Sequence, residues 1–461
     1  MGALRALPRA HAERGPGLRA GQAQGAFRAV STCGERDQRG SRLMAGLDPR
    51  RVVVVGGGIS GITSAIEIAE TGTEVTLVER SPSLGGRVAG MFRYFPKLCP
   101  PYCGLEIQYR RIKANPRISV MTDTEVTAAD KCADGWKLSL RRNARKVTDR
   151  CTACDECTAA CPVERRNPHN QALDATKAIF LPHRLAFPLR YAIDAQACPG
   201  ASCGKCVPAC PFGAIDLSMQ PQDLELTASK VIWATGWKPY DAARLAHLGF
   251  QRVPNVITNV MFERLAALDG PTGGKLLRPS DGKEAKRVVF VQCAGSRDDE
   301  HLPYCSAVCC QASLKQASFV RETYPDSRVE IFYTDRRAGD NEDFLRKVQS
   351  DPNIVFTKGK VGQVTEEPGS GDITVVAQDT PTGPSRTAIA DLVVLATGIV
   401  PETSLAAIPS GITRDAYGFL TGSHTEGFEV VGCASRPSDV TRSVQDATGA
   451  GIRAQRSLAV R

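Results

Sequence analysis

Residues 51–79 read RVVVVGGGISGITSAIEIAETGTEVTLVE, a strand, a glycine-rich turn, a helix and a second strand in that order. Val52 to Val55 are a continuous β-branched run of buried-strand length, a helical pattern continues through Glu70, and Val75 to Glu79 returns to strand. Gly56, Gly58 and Gly61 stand in GxGxxG spacing between strand and helix, and an acid, Glu79, follows about twenty residues on. Each residue has a physical task. Gly56 permits the tight turn, Gly58 lets a pyrophosphate reach the backbone at the helix N-terminus, and Gly61 allows helix and strand to pack closely; Glu79 is expected to hold ribose hydroxyls. The unit is therefore the βαβ opening of a doubly wound α/β domain that binds a dinucleotide.

The residues that follow separate flavin from nicotinamide. Ser83-Leu84-Gly85-Gly86-Arg87 resembles the second glycine pair of the flavoprotein disulfide reductase class, and Ala234-Thr235-Gly236 and Ala396-Thr397-Gly398 resemble its two ATG motifs, each ending a hydrophobic strand. The resemblance implies FAD, with Gly85, Gly86, Arg87, Gly236, Gly398 and Gly432 beside it. One departure stands out. That class ends its late motif in Gly-Asp, whereas here Gly432 runs into Cys433. A second βαβ unit begins at Arg287, where the same class carries its NAD(P)H fingerprint. Gln292-Cys293-Ala294-Gly295-Ser296-Arg297 stands there instead, without the glycine spacing, so the nicotinamide site is expected to be dismantled.

Between the first unit and the first ATG lie eight cysteines in two quartets. Cys151, Cys154, Cys157 and Cys161 precede Pro162; Cys198, Cys203, Cys206 and Cys210 precede Pro211. This is the ligand pattern of a ferredoxin with two 4Fe-4S clusters, in which three thiolates of one arc hold a cubane and the fourth crosses to the other. One cubane would take Cys151, Cys154, Cys157 and Cys210, the other Cys198, Cys203, Cys206 and Cys161. Cys198 is the least secure ligand, because four residues rather than two separate it from Cys203. A zinc site needs four ligands and not two interleaved sets, and a disulfide framework suits small secreted chains.

A third constellation comprises Cys293, Cys305, Cys309 and Cys310. Adjacent cysteines do not fit one ordinary ferredoxin arc, and two structural thiols beside a chance pair are the alternative. The string QCAGSRDDEHLPYCSAVCCQASLKQA, however, closely resembles the cluster-binding segment of the A subunit of heterodisulfide reductase. That resemblance extends from Val52 to the closing GCASRPSDV, and it implies that these four cysteines hold a third 4Fe-4S cluster near the flavin. The chain resembles the shorter form found in bacterial and archaeal heterodisulfide-reductase-like sulfur-oxidising complexes, where FPKLCPPYCGLE, with Cys99 and Cys103, also fits. Those two thiols are read as a redox pair, extra ligands or structural cysteines. The implied task is electron transfer: partner subunits resembling heterodisulfide reductase B and C, with a lipoate-binding protein, would oxidise a thiol or lipoate-bound sulfur substrate. Clusters and FAD would pass the electrons to an acceptor, with NAD+ among those allowed. The rival reading is a self-contained NAD(P)H-dependent reductase related to the small subunit of glutamate synthase. A scaffold holding FAD for structure alone is a third, disfavoured by eight well-spaced ligands.

Size and composition bound the rest. At 461 residues, 42% hydrophobic and 23% charged, the chain predicts several domains and contains no apolar run long enough to span a bilayer. Residues 1–43 carry eight arginines, no lysine and three acids, so just over half of the net charge of +9 lies there and the body is only mildly basic. A nucleic-acid role finds no support in that distribution. Seventeen cysteines without a secretory signal suit a reducing compartment, and the cytoplasm is the default. The six histidines form no hydrolytic motif, and His301 reads as exposed. A homodimer within a larger complex is expected. The expected organisation is a disordered extension or misassigned start over 1–45, with Met44 as the alternative start; flavin-domain segments at 46–145, 228–285 and 388–461; the ferredoxin insert at 146–227; and an altered NAD(P)H-type domain at 286–387.

Overall fold

The strand Val52–Val55 is wholly buried, as suits a central strand of a parallel sheet whose two faces are both covered. The structure, a computed structural model, describes residues 51–459 apart from 96, 134, 338, 340, 380–382, 403–411 and 423–426. The expected extension at 1–45 lies outside the described residues. Val52–Val55 pairs in parallel with Val75–Val78 on one side and Lys230–Trp233 on the other, and Ile118–Met121 and Phe428–Val430 complete five parallel strands. Apolar residues of the helices Ile59–Ala69, Pro101–Ala114 and Val440–Ala459 close one face: Ile62, Ile66, Leu105, Ile112, Ala450 and Ala454 meet Val52, Val54 and Leu77. The other face packs on a three-stranded antiparallel sheet, where buried Trp136 lies 5.5 Å from the ring of Phe428. Burying each such Val or Leu contributes about 1.5–3 kcal/mol, so the alternation in Gly135–Arg142 is enough to fix which face turns inward.

The second half repeats this plan. Val256–Thr258, Leu392–Thr397, Arg287–Ala294, Arg328–Tyr333 and Ile354–Lys358 form a second five-stranded parallel sheet, in that order. Helices Asn259–Ala266, Cys309–Thr323 and Glu342–Gln349 cover one face and the antiparallel strands of residues 360–390 cover the other. A two-stranded antiparallel ribbon, Trp237–Pro239 against Ile399–Pro401, joins the halves.

Two expected segments are therefore divided between the sheets. Of 228–285, Lys230–Trp233 belongs to the first sheet and Val256–Thr258 to the second; of 388–461, Phe428–Val430 belongs to the first and Leu392–Thr397 to the second. The reason is physical: a continuous apolar run states that a strand is buried on both faces, not which sheet buries it.

The cysteine-rich insert interrupts a hairpin. Strand Gly135–Arg142 pairs antiparallel with Gln222–Ala228, and Arg142 stands directly opposite Gln222. Residues 143–221 thus replace a turn, a little earlier at both ends than expected. In the second half the equivalent strands close at Gln378 opposite Ser385, with only residues 379–384 between them. Hairpin tips are where a chain tolerates insertion, because both ends of the added segment are already held together.

Candidate functional site

Gly56 has φ +108°, and a Cβ there would lie 2.4 Å from the Ala234 carbonyl oxygen, so only glycine makes this turn. Gly61 is excluded from substitution more severely, with the Gly56 oxygen 1.8 Å from its would-be Cβ. Gly58 differs. Its would-be Cβ meets nothing nearer than the Gly86 Cα at 3.9 Å, and the Gly85 amide donates to the Gly57 oxygen at 2.8 Å, so the two glycine turns lie in backbone contact. Gly58 also precedes the helix Ile59–Ala69, whose first turn has neither a side-chain cap nor an acidic residue. Uncapped amides at a helix start flanked by glycines suit a diphosphate. Glu79 is buried at the edge of this cradle, accepting from the Gly57 amide at 2.6 Å and the Ser81 amide at 2.7 Å. Gly432 adopts φ +61°, with the Ser60 hydroxyl 2.3 Å from its would-be Cβ, so the late motif reaches the fingerprint helix. Asp446, from the last helix, accepts from the Gly432 amide at 2.8 Å. The Cys433 thiol itself is buried and turned to the Ser438 carbonyl.

The two ATG motifs meet at the ribbon. The Tyr240 amide donates to the Gly398 oxygen and the Glu402 amide to the Gly236 oxygen. Arg87 joins them, its Nε donating to the Trp237 oxygen at 3.1 Å with the guanidinium over the indole ring.

In the insert, the two quartets line two separate cavities. Cys151, Cys154, Cys157 and Cys210 surround one, and Cys161, Cys198, Cys203 and Cys206 the other. Each cavity thus gathers three thiols of one arc and the fourth of the other. The two extra residues before Cys203 are absorbed in the 3₁₀ turn Gly200–Ser202, which leaves Cys198 on the cavity wall. Left-handed Ala153 and Asp155 bend the first arc, and Gly200 and Gly204 bend the second. Burial, and next the Cys151 thiol, push Cys157 up to about 12. Thiols crowded in an apolar pocket become thiolates only with positive charge among them, which an iron cluster would supply.

The third quartet closes the second sheet's central strand. Cys293 lies in Arg287–Ala294, one residue before its end, with φ +56°, and Cys309 and Cys310 open the helix Cys309–Thr323. Burial first, then the neighbouring thiols, raise Cys309 and Cys310; the Cys293, Cys305, Cys309 and Cys310 thiols all lie within reach of one another's charge. Between strand and helix run residues 295–308, where the first unit needs only its glycine turn. The Tyr240 ring lies 2.5 Å from where a Cβ of Gly295 would be, and the Ser296 hydroxyl 2.3 Å from that of Gly398. The loop thus fills the place of a phosphate turn and is fastened to the second ATG, with the Ser306 hydroxyl accepting from the Ile399 amide and Tyr304 donating to the Ile399 oxygen. His301 is not freely exposed: its Nδ1 lies 2.8 Å from the Tyr240 hydroxyl.

Sequence reasoning missed a buried ion pair. Lys315 and Glu263 sit 2.9 Å apart at 5% and 7% exposure. Glu263 also accepts from Gln316 at 2.6 Å and the Phe92 amide at 3.0 Å, and Lys315 donates to the Arg93 oxygen. The pair clasps the segment leading to Cys99 and Cys103 onto the second half, helped by Phe92 against Phe319 and Phe95 against Phe344. The one signal in the sequence is that Lys315 and Gln316 fall inside the quoted third-quartet string.

Comparison with known proteins places this geometry. Residues 51–135 match the FAD dependent oxidoreductase family. The A subunit of the H(2):CoB-CoM heterodisulfide,ferredoxin reductase of Methanothermobacter marburgensis is 33% identical over 435 residues, covering 90% of this chain and 66% of that protein. The second iron-sulfur A subunit of the CoB--CoM heterodisulfide reductase of Methanopyrus kandleri is 36% identical over 424 residues, covering 89% of this chain and 64% of that protein. The chain thus spans just under two thirds of the length of these relatives. Among solved structures, thioredoxin reductase of Lactococcus lactis in its FR conformation is similar at 13% identity and a TM-score of 0.48, covering 89% of this chain and all of that one.

Proposed function

The chain belongs to the family of heterodisulfide reductase A subunits, and from that premise we propose that it is the FAD and iron-sulfur electron-transfer component of a heterodisulfide-reductase-like complex. One observation carries the reading: a glycine turn suited to a dinucleotide and three thiol quartets share one chain, while the second dinucleotide turn is replaced by a loop that bears Cys305 and joins the strand of Cys293 to the helix of Cys309 and Cys310. FAD would lie along Gly56, Gly58, Gly61, Glu79, Gly85 and Gly86, and would supply exchange between one- and two-electron steps. Cys151, Cys154, Cys157 and Cys210 would hold one cubane, Cys161, Cys198, Cys203 and Cys206 a second, and Cys293, Cys305, Cys309 and Cys310 a third. The protein's own contribution is to space these groups and shield them from water.

In this reading the sulfur chemistry belongs to partner subunits of B and C type, with a lipoate-bound or other thiol substrate in cytoplasmic sulfur oxidation and NAD+ as one acceptor, and the chain works as a homodimer within the complex. Among the described residues no helix is long and apolar enough to cross a membrane. The loop at residues 295–308 weighs against the self-contained NAD(P)H reductase. Anaerobic reductive titration tests the proposal: three one-electron clusters and a two-electron flavin take up about five electrons per chain. Uptake of two, with no cluster signal, would leave a plain flavoprotein.

A further inference from the structure

Arg145 lies at the beginning of the insert with its side chain 4% exposed. A buried guanidinium is costly unless its donors are used, and five contacts use them here. Nη1 donates to the Pro82 oxygen at 2.8 Å, the Thr122 hydroxyl at 3.2 Å and Asp123 at 2.9 Å, all in the flavin half. Nε donates to the Tyr191 oxygen at 2.8 Å and Nη2 to the Arg190 oxygen at 2.7 Å, both in the insert. Pro82 immediately precedes the Ser83-Leu84-Gly85-Gly86 turn.

On the insert side the guanidinium leads to one cluster cavity, while only the Arg145 backbone carbonyl, accepting from the Ile193 amide at 3.1 Å, meets the wall of the other. The Tyr191 ring lines the cavity of Cys151, Cys154, Cys157 and Cys210, and so does Val147, two residues beyond Arg145. The Tyr191 hydroxyl donates to Asp155, the left-handed residue between Cys154 and Cys157. Neither Tyr191 nor Val147 lines the second cavity. The Cys151 thiol also lies within electrostatic reach of the guanidinium. Asp123, 14% exposed, is its countercharge.

We propose that Arg145 is a positioning residue that ties the Pro82 turn to the wall of the Cys151 cluster cavity, and that its charge sets the reduction potential of that cluster alone. This rests on the ligand reading above. A fixed positive charge nearby favours the reduced, more negative cluster, and burial keeps the effect from being screened. Removing it therefore lowers the potential; removing Asp123 exposes the cation and raises it.

The test is an anaerobic redox titration of the full chain, reconstituted with FAD and clusters and followed by electron paramagnetic resonance, with Cys154→Ala identifying the first cluster's signal. In Arg145→Gln the reduced-to-oxidised ratio of that cluster at fixed poise should fall on the order of tenfold, which is 59 mV for a one-electron couple. Asp123→Asn should move it the opposite way, and Arg145→Lys should recover most of the loss. Signals of the other two clusters should stay within about twofold. If Arg145→Gln does not fold, Asp123→Asn carries the same test. An equal shift of all signals, or an unmoved first cluster in variants with full iron content, overturns the inference. An unaltered chain with no signal sensitive to Cys154→Ala overturns the ligand reading, and the inference falls with it.

Discussion

Gly58 and Gly86 stand face to face: a Cβ on Gly86 would lie 2.8 Å from the Gly58 Cα, whereas one on Gly58 would meet only the Gly86 Cα, in ordinary contact at 3.9 Å. Position 58 tolerates a small side chain as far as the protein is concerned. What such a side chain would obstruct is the expected path of the pyrophosphate. Gly58→Val should therefore give a folded protein of full iron content that has lost its yellow chromophore, read by visible spectroscopy and iron assay. Gly86→Ala, with φ +52° and the close contact, should instead lower stability. A Gly58→Val protein with stoichiometric FAD would show the cradle to be misplaced.

Anaerobically prepared chain should hold about twelve irons, four for each of three cubanes. Cys305→Ala should remove one paramagnetic signal and leave the two of the insert intact, because residues 143–221 fold around their own cysteines. Eight irons, unchanged in Cys305→Ala, would reduce the chain to the ferredoxin pair.

Mixing the isolated chain anaerobically with NADPH should bleach the flavin slowly or not at all. The loop at residues 295–308 occupies the position of the second phosphate turn, with Gly295 under the Tyr240 ring. Rapid, saturable bleaching would favour the self-contained reductase.

Acid should weaken the fold from near neutrality. Burial, then Arg264 and His183, pulls His169 down to about 3, and burial lowers His183 as well. A folded pKa below the unfolded value means that the unfolded chain takes up the proton first. This share of stability is complete above about pH 6.5 and is lost as pH falls toward the folded value, at no more than about 1.4 kcal/mol per pH unit for each histidine. Calorimetry between pH 7.5 and 5.5 should show a falling Tm, with a flatter slope in His169→Gln. An unaltered slope would mean that His169 charges freely in the folded protein.

Lys315→Met should cost about 3–5 kcal/mol, since it strands the Glu263 carboxylate in the interior. The double variant with Glu263→Gln should recover much of this, as measured by denaturant unfolding. A Lys315→Met loss below about 1 kcal/mol would mean that water reaches the pair.

How far the chain could be read depends on how local the cause is. The glycine turn was legible because Gly56 and Gly61 answer to steric demands within one turn, and the grouping of the cysteines because their spacing is regular. The interleaving of Cys161 and Cys210 followed from the ferredoxin pattern, and the structure sets them around opposite cavities. Sheet membership was not legible. Val256–Thr258 and Leu392–Thr397 are apolar runs that either sheet could have buried. Nor were Arg145 and the Glu263–Lys315 pair: their partners lie far along the chain, 222 residues in the case of Lys315 and Arg93, and a lone charged residue gives no sign of being buried.

Because Arg142 and Gln222 form one rung of a ladder, the cysteine-rich module is tethered to the flavin half at a single point. A body held so could swivel. Further contacts hold it in place: Arg145 at Pro82, His183, whose Nε2 lies 3.2 Å from the Ser83 hydroxyl, the Leu84 amide donating to the Phe187 oxygen at 2.9 Å, and Arg264 donating to Asn170 at 2.8 Å. Electron tunnelling weakens steeply with distance, so under the proposed function these contacts would act as the gauge of the gap between the module and the flavin turn. Drift in any of these contacts would register as a slower electron before it registered as a less stable fold.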